Sequence, residues 1–393
     1  MQTQTRIESL DVLRGLALIG ILVMNIQSFS MIEAAYGNPT AYGSLEGANY
    51  WVWFFSHLFA DSKFMAIFSM LFGAGIVLFC ENAEKKDIHP AILHYKRNFW
   101  LLVIGMIHAY LFWQGDILVG YALCAFILYF ARNLKASTLF KIGIVLLIVP
   151  PLIFYLLEIS LQYMPNDAYQ DLQDWRPNSE KTAEEVAKYQ VSFFQLIPFR
   201  ASRAFLAQTI LFGIYTFWRA AGMMLMGMAL YKWDFLTAKK SNKFYAITAL
   251  ISAGIGFPII LYGIQQHFAH NWSFEHSMFG GSNYNYVGSI FVAIFYSAMI
   301  QIMVKTPFFA WKRKILSSLG KLALTNYLGQ TLICSFIFYG YGLGLFGKLE
   351  RKEQILVVLG VVVFQIIFSL LWTKFFRFGP MEKLWRKLYL KQK

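Results

Sequence analysis

Apolar runs of about twenty residues recur along this chain, and they limit its fold more than any other feature. At about 1.5 Å per residue, such a run crosses the roughly 30 Å hydrocarbon core of a bilayer as a helix. Lipid offers backbone groups no hydrogen bonds, so a chain with many such runs must be a bundle of helices. Of the 393 residues, 58% are hydrophobic and only 14% are charged, whereas soluble domains carry about 25% charged residues. The expected fold class is therefore all-α: one integral domain over 1–393, a polytopic, multi-pass membrane helix bundle.

Ten spans are expected, at 12–31, 61–80, 98–115, 117–134, 138–159, 204–231, 243–265, 285–304, 319–340 and 354–373. The aromatic stretch "NYWVWFFSHLFA" (49–60) reads as an interfacial segment feeding the second span, because Trp and Tyr favour the headgroup level. The third and fourth spans meet at "WQGDIL", a very short turn. Arg6 and Arg14 flank the first apolar run, but no A-x-A site follows it. That reads as an uncleaved first span.

The net charge of +14 does not point to nucleic acid, because the basic residues are spread over short loops between spans. That distribution sets topology and contacts anionic lipid. With these spans, 25 lysines and arginines fall on one side and 8 on the other. The basic side is expected to be cytoplasmic. Both termini are then inside, and the 160–202 loop, helix-prone around "EKTAEEVAKYQ", is external. Cys80, Cys124 and Cys334 lie in apolar stretches without metal or disulfide spacing and read as small core residues. No metal is expected. Outer-loop His267, His270 and His276 stand close in sequence.

Ionisable groups inside spans mark candidate sites. Chain direction places Asn25, Lys63, His108, Asp116, Arg219 and Gln330 at middle to outer depth, with Asn326 deeper towards the basic side. Asp11 and Arg14, at i and i+3, share one helix face at the inner mouth of the first span. Arg219, far from either surface, needs an acceptor or an anion. The glycines of "FYGYGLGLFGKL" (338–349) precede no phosphate-cradling helix, so they read as sites of close packing or re-entrant backbone.

The stretches "RIESLDVLRGLALIGILVMN" (6–25), "KFMAIFSMLFGAG" (63–75), "WQGDILVGYA" (113–122), "LGKLALTNYLGQT" (319–331), "FYGYGLGLFGKL" (338–349) and "FRFGPMEKLWR" (376–386) together resemble the YeiB-like family of bacterial membrane proteins, a domain of unknown function. The resemblance implies a bacterial cytoplasmic membrane location, with YeiB-like helices at 204–393. More distantly, "SLDVLRG…N" in the first span is similar to the opening of transmembrane acyltransferases, which implies acyltransferase-like helices at 1–135. That superfamily includes heparan-alpha-glucosaminide N-acetyltransferase and acetylases of bacterial surface polysaccharides. The polysaccharide acetylases have a functional histidine eleven residues after the arginine, where this chain has Asn25. The heparan enzyme has asparagine there and a histidine eleven residues further on, where this chain has Tyr36.

The resemblance implies transfer of an acyl group from cytosolic acyl-CoA to a small-molecule or glycan acceptor at the outer side. That chemistry needs a base and an oxyanion donor. His108 is the first candidate base, with Asp116 and His57 as others, and Asn25 is the candidate donor. Arg14, oriented by Asp11, would meet CoA phosphates. Lys63, Arg219, Asn326 and Gln330 are candidate substrate-binding residues. The alternative is a transporter of a small polar or anionic solute, with His108 and Arg219 binding it or relaying protons. The expected partners are membrane lipids and the acceptor, without nucleic acid.

The topology is directly testable. A cysteine at Asn178 should react with an impermeant thiol reagent added outside intact cells, and one at Asn82 should not. The reverse labelling pattern would invert every depth assigned above.

Overall fold

A computed structural model describes residues 6–163 and 174–390, and all regular structure among the described residues is helical. Helix α1 (Glu8–Ser30) is followed by a short α2 (Ala34–Gly37), then α3 (Gly47–Phe59) and α4 (Lys63–Glu84). Helix α5 (Pro90–Ile107) widens into a π turn at His108–Phe112 and leads to α6 (Leu118–Leu128) and α7 (Ala136–Leu161). Helix α8 (Ser179–Tyr189) precedes α9 (Phe193–Leu206), a π-helical stretch (Ala207–Thr216) and α10 (Phe217–Lys232). The chain continues with α11 (Asn242–Ala269), α12 (Ser282–Lys305), α13 (Ala310–Lys321), α14 (Ala323–Phe338), α15 (Arg351–Phe375) and α16 (Pro380–Leu390).

The ten expected spans fall largely on helix, although 319–340 straddles the break at Leu322 between α13 and α14 and the helices of 98–115 and 117–134 end a few residues early. Seven helical segments are long and apolar enough to cross a membrane. Those of α6 (Leu118–Ala131) and α14 (Ala323–Phe338) are apolar but shorter. The aromatic 49–60 stretch becomes the separate helix α3, split from α4 by a turn in which Ser62 adopts a left-handed φ of 67°. The segment 193–232 is continuous for 40 residues. At about 1.5 Å per residue it is longer than the roughly 30 Å hydrocarbon core of a bilayer.

Helix α1 is the axis of the bundle. Its most apolar window is 78% buried inside the protein, against 17% for α7 and 22% for α15, which present apolar side chains outward as lipid-facing helices do. Lipid tails are as apolar as leucine, so helices in a membrane associate through close packing and hydrogen bonds rather than the hydrophobic effect. Glycine makes the closest packing. A Cβ on Gly15 would lie 1.9 Å from the backbone oxygen of Leu316, and one on Gly320 would lie 1.9 Å from that of Asp11. The α1 and α13 backbones therefore touch reciprocally. Helices α4 and α10 repeat the device, Gly73 against Met224 and Gly227 against Met70.

Helix α14 begins inside the protein at Leu322, and its first amides need acceptors. The carboxylate of Glu382, from α16, supplies them: Oε1 accepts from the Leu324 and Thr325 N–H groups (2.7 and 3.2 Å), and Oε2 from the Thr325 hydroxyl (2.6 Å). The amphipathic α16 thus caps another helix, and Trp385 ties it to the Arg97 carbonyl of α5 (2.9 Å).

Close packing at Gly15 leaves no room for a side chain. Gly15→Val should lower stability by about 1–3 kcal/mol, the usual cost of overpacking. Gly75→Val, at a position where an added Cβ meets nothing within 4 Å, should change it far less. Thermal unfolding in detergent checks both, and equal melting temperatures for the two variants would remove the backbone contact from the account of the fold.

Candidate functional site

The turn "WQGDIL" places two groups that sequence spacing alone leaves apart. At the end of α5 the π turn brings the His108 ring round to Asp116: His108 Nδ1 lies 2.6 Å from Asp116 Oδ2. The other carboxylate oxygen accepts the Val119 N–H at 2.9 Å, which caps the start of α6. Asp116 therefore serves the turn and the histidine together. With the carboxylate accepting at Nδ1, the neutral ring carries its proton there and leaves the Nε2 lone pair free. Nε2 faces the Thr331 hydroxyl of α14 at 2.9 Å. His108, Asp116 and Thr331 form one buried chain, Asp–His–hydroxyl, with both side chains of the acid–base pair nearly sealed from solvent. The Tyr327 ring lies 5.3 Å from the imidazole, and its oxygen accepts the Ile117 N–H.

A polar and aromatic cap covers this chain. Trp113 stacks on Phe29 of α1. Gln114 donates to the Tyr189 hydroxyl (2.8 Å), and Tyr189 stacks on Phe346 with centroids 4.0 Å apart. The glycine-rich 338–349 segment folds as a turn against α1 and α8: Gly340 N–H donates to the Tyr189 carbonyl and Gly347 N–H to that of Ser30. Arg200 is fully buried and donates to the Leu111 carbonyl, within the π turn, and to the Tyr341 hydroxyl.

A second cluster gathers around the α3–α4 turn. Lys63 is buried and donates to the His57 carbonyl and to Asn285 Oδ1 (2.6 Å). Asn285 Nδ2 donates to Asp61 Oδ2 (3.0 Å), the same oxygen that His57 Nδ1 approaches at 3.2 Å. Arg219 is 1% exposed and donates to the Tyr286 carbonyl (3.3 Å), the Ser62 carbonyl (3.2 Å) and the Ser289 hydroxyl (2.6 Å). The guanidinium also lies over the Tyr286 ring, 4.3 Å from its centroid. The Tyr36 and Tyr215 hydroxyls stand beside Asp61 and Arg219. Lys63 and Arg219 thus meet, while His108 belongs to a separate group.

Asn25 lies on α1 between these two sites. Met24, next to it, accepts the Ser62 N–H through its sulfur, while Phe29 packs on Trp113. The Asn25 amide is 9% exposed and makes no side-chain hydrogen bond among the described residues. Asn326 and Gln330 are used differently. Gln330 Nε2 donates to the Leu18 carbonyl (3.1 Å) and to Gln365 Oε1 (3.0 Å), while Gln365 Nε2 donates to the Asn326 carbonyl (2.7 Å). Asn326 Nδ2 donates to Ser369 Oγ (2.9 Å). This ladder joins α14 to α15 and α1.

At the basic end Asp11 is buried and holds two arginines, Arg14 at 2.8 Å and Arg6. Beside them a cavity of about 750 Å3 opens between α1, α13 and α15, with Arg6, Lys314, Lys321 and Lys374 on its walls. A second, of about 650 Å3, lies near Lys85, Lys232 and Lys239. The walls of neither cavity include His108, Asn25 or Arg14, the residue expected to meet phosphate; Arg6 lines the larger one instead. Among the described residues no three His, Cys, Asp or Glu side chains come together as a metal site.

The chain is 32% identical over 390 residues to the uncharacterized protein YeiB of Escherichia coli (strain K12), covering 98% of this chain and 96% of that one. The chain belongs to the YeiB-like family. Another similar protein is the uncharacterized YxaH of Bacillus subtilis (strain 168), 30% identical over 405 residues, with 98% of this chain and 94% of that one covered. The family model described as "Protein of unknown function (DUF418)" matches residues 230–392. In this family member the matched segment carries Thr331 and the α14–α15 ladder, while His108 and Asp116 precede it.

Sequence reading missed Thr331 and Arg200. Thr331 follows Gln330 directly, and nothing in the sequence marks it as the partner of a histidine 223 positions earlier. Arg200 sits in what reads as an outer loop, with no apolar run to signal burial.

The ladder predicts a contrast. Gln365→Leu should cost about 0.6–2 kcal/mol for each interhelical bond it removes, read as a lower melting temperature. It should leave ligand binding unchanged, because neither cavity wall includes Gln365. Altered ligand affinity in a folded Gln365→Leu protein would make the ladder part of a site.

Proposed function

We propose that this protein is a membrane acyltransferase in which His108 is the general base. The single observation that supports the reading is the buried Asp116–His108–Thr331 chain. A carboxylate on Nδ1 fixes the tautomer, orients the ring and stabilises the imidazolium formed when Nε2 takes a proton. Thr331 Oγ1, 2.9 Å from Nε2, stands where an acceptor hydroxyl or amine would present its proton. The acceptor oxygen or nitrogen then bonds to the thioester carbonyl carbon, the carbon–sulfur bond breaks, and the proton passes by way of His108 to the departing thiolate. The Asn25 amide, without a partner among the described side-chain hydrogen bonds, is the candidate donor to the carbonyl oxygen.

The donor's phosphates would lie in the basin at the basic end. Its volume of about 750 Å3 falls within the range of small-molecule sites, about 300–1,000 Å3. Arginine and lysine side chains provide charge-assisted bonds to phosphate oxygens. Because the basin does not reach His108, acyl transfer requires α1 and its neighbours to part between the two, a gating step of the kind that often limits turnover. A transporter of an anionic solute is the second reading, and the Lys63–Arg219 cluster favours it.

Two measurements test the acyltransferase reading. Purified protein should bind acetyl-CoA in calorimetry, with Lys314→Ala, on the basin wall, weakening binding by about 1–3 kcal/mol, the scale of a hydrogen bond to a charged group. In proteoliposomes with a membrane extract as acceptor, release of free CoA should fall by about 10²–10⁴-fold in His108→Gln. Asp116→Asn should also slow it strongly while the protein stays folded, because an amide favours the wrong tautomer. Full CoA release by a folded His108→Gln protein would sink the assignment.

A further inference from the structure

Two cations are buried beside one another with no carboxylate against either. Arg219 offers five N–H donors, yet its three hydrogen bonds go to two backbone carbonyls and one serine hydroxyl, all neutral. Its Nε is buried and has no partner among the described residues. Lys63 likewise donates to a carbonyl and an amide oxygen. Asp61 lies close by but forms no ion pair with either cation, and its carboxylate is engaged by Asn285 and His57. The cluster therefore carries one more positive charge than negative, before any proton on His57 is counted. A charge buried without a counter-charge costs several kcal/mol, and inside a membrane span such groups mark ligand or ion pathways.

The surroundings suit an incoming anion. The Tyr36 and Tyr215 hydroxyls stand near Arg219, Tyr36 bonded to Asp61 and Tyr215 to Ser62. The approach is open at one side: Tyr36 is 45% exposed and the Asp61 side chain 26%, while Lys63 and Arg219 are sealed behind them. We infer that Arg219 and Lys63 form a binding site for a carboxylate or phosphate monoanion, entered past Tyr36 and Asp61 from the end of the bundle that carries α2 and α3. The site stands apart from the acyl-transfer reading, because His108 contributes nothing to it. The anionic group comes either from a water-soluble solute or from a lipid headgroup.

The experiment uses the full chain in zwitterionic nanodiscs, with thermal unfolding followed by tryptophan fluorescence at fixed ionic strength. Inorganic phosphate and D-glucuronate are the probes, and D-glucose is the neutral control. Both anions should raise the melting temperature with millimolar half-saturation, and glucose should not. Arg219→Gln and Lys63→Gln should each weaken the half-saturating concentration at least about tenfold. Asp61→Asn should tighten it severalfold by removing the competing carboxylate, and Gln365→Leu, in the α14–α15 ladder, should leave it unchanged. In nanodiscs that also contain phosphatidylglycerol, a response that disappears because the resting melting temperature is already raised assigns the site to a lipid headgroup. A response that persists assigns it to a soluble anion. Should Arg219→Gln fail to fold, the opposite shifts expected of Lys63→Gln and Asp61→Asn decide. Equal stabilisation by glucose and glucuronate, no response in either lipid, or an unchanged response in both Arg219→Gln and Lys63→Gln would overturn the site.

Discussion

The contact between the α1 and α13 backbones at Gly15 and Gly320 sets the frame for the rest of the molecule. Helix α13 ends one residue later, the chain turns at Leu322, and α14 starts from there along α1. The direction of α14 then places Asn326, Gln330 and Thr331 in turn against α15, α1 and the end of α5. A wider crossing, as a side chain at either glycine would impose, would carry Thr331 away from His108. The Glu382 cap reinforces the arrangement, because it fixes where α14 begins while α16 itself is anchored to α5.

A dry interior makes each buried charge a structural decision, and this protein resolves them in different ways. Asp11 is matched by two arginines and Asp116 by a histidine and a backbone amide. Arg200 is matched by one backbone carbonyl and the Tyr341 hydroxyl, and Arg351 holds the 39–44 segment through three carbonyls. These two staple irregular backbone whose oxygens have no helical partner. Arg219 shares with them neutral partners and an unpartnered buried Nε, and differs in standing beside a second buried cation, Lys63. The same bundle therefore holds charges that complete the fold and charges that await something else.

Much of the bundle was legible in the chain. Hydropathy placed ten helical stretches, whereas the aromatic 49–60 stretch, which reads as a feeder of the second span, is a helix of its own. Asp11 and Arg14 do pair across one helix turn, as their i, i+3 spacing implies. Position along each helix was legible too, and it put His108, Asp116 and Arg219 among the groups to watch. Lateral position was not. Lys63 and Arg219 share a cluster, His108 and Asp116 another, and Asn326 and Gln330 a third whose bonds lock helices together. Depth alone cannot separate the three, since all lie within the same few turns of helix. Thr331 and Arg200 escaped notice because a hydroxyl in a span and an arginine in a loop are both ordinary until their neighbours are known.

By itself the sequence determined the class of fold, the order of the spans and the height of each polar group along its helix. The reason is that helical rise per residue is constant and lipid tolerates no free backbone. Only the tertiary structure decided which polar groups share a neighbourhood. A membrane helix is apolar on every side, so its sequence carries little signal of which face turns inward. That choice fell to a few glycine contacts that set the spacing of neighbouring helices, to the π turn that rotates His108 onto Asp116, and to the side-chain hydrogen bonds that the resulting packing allows.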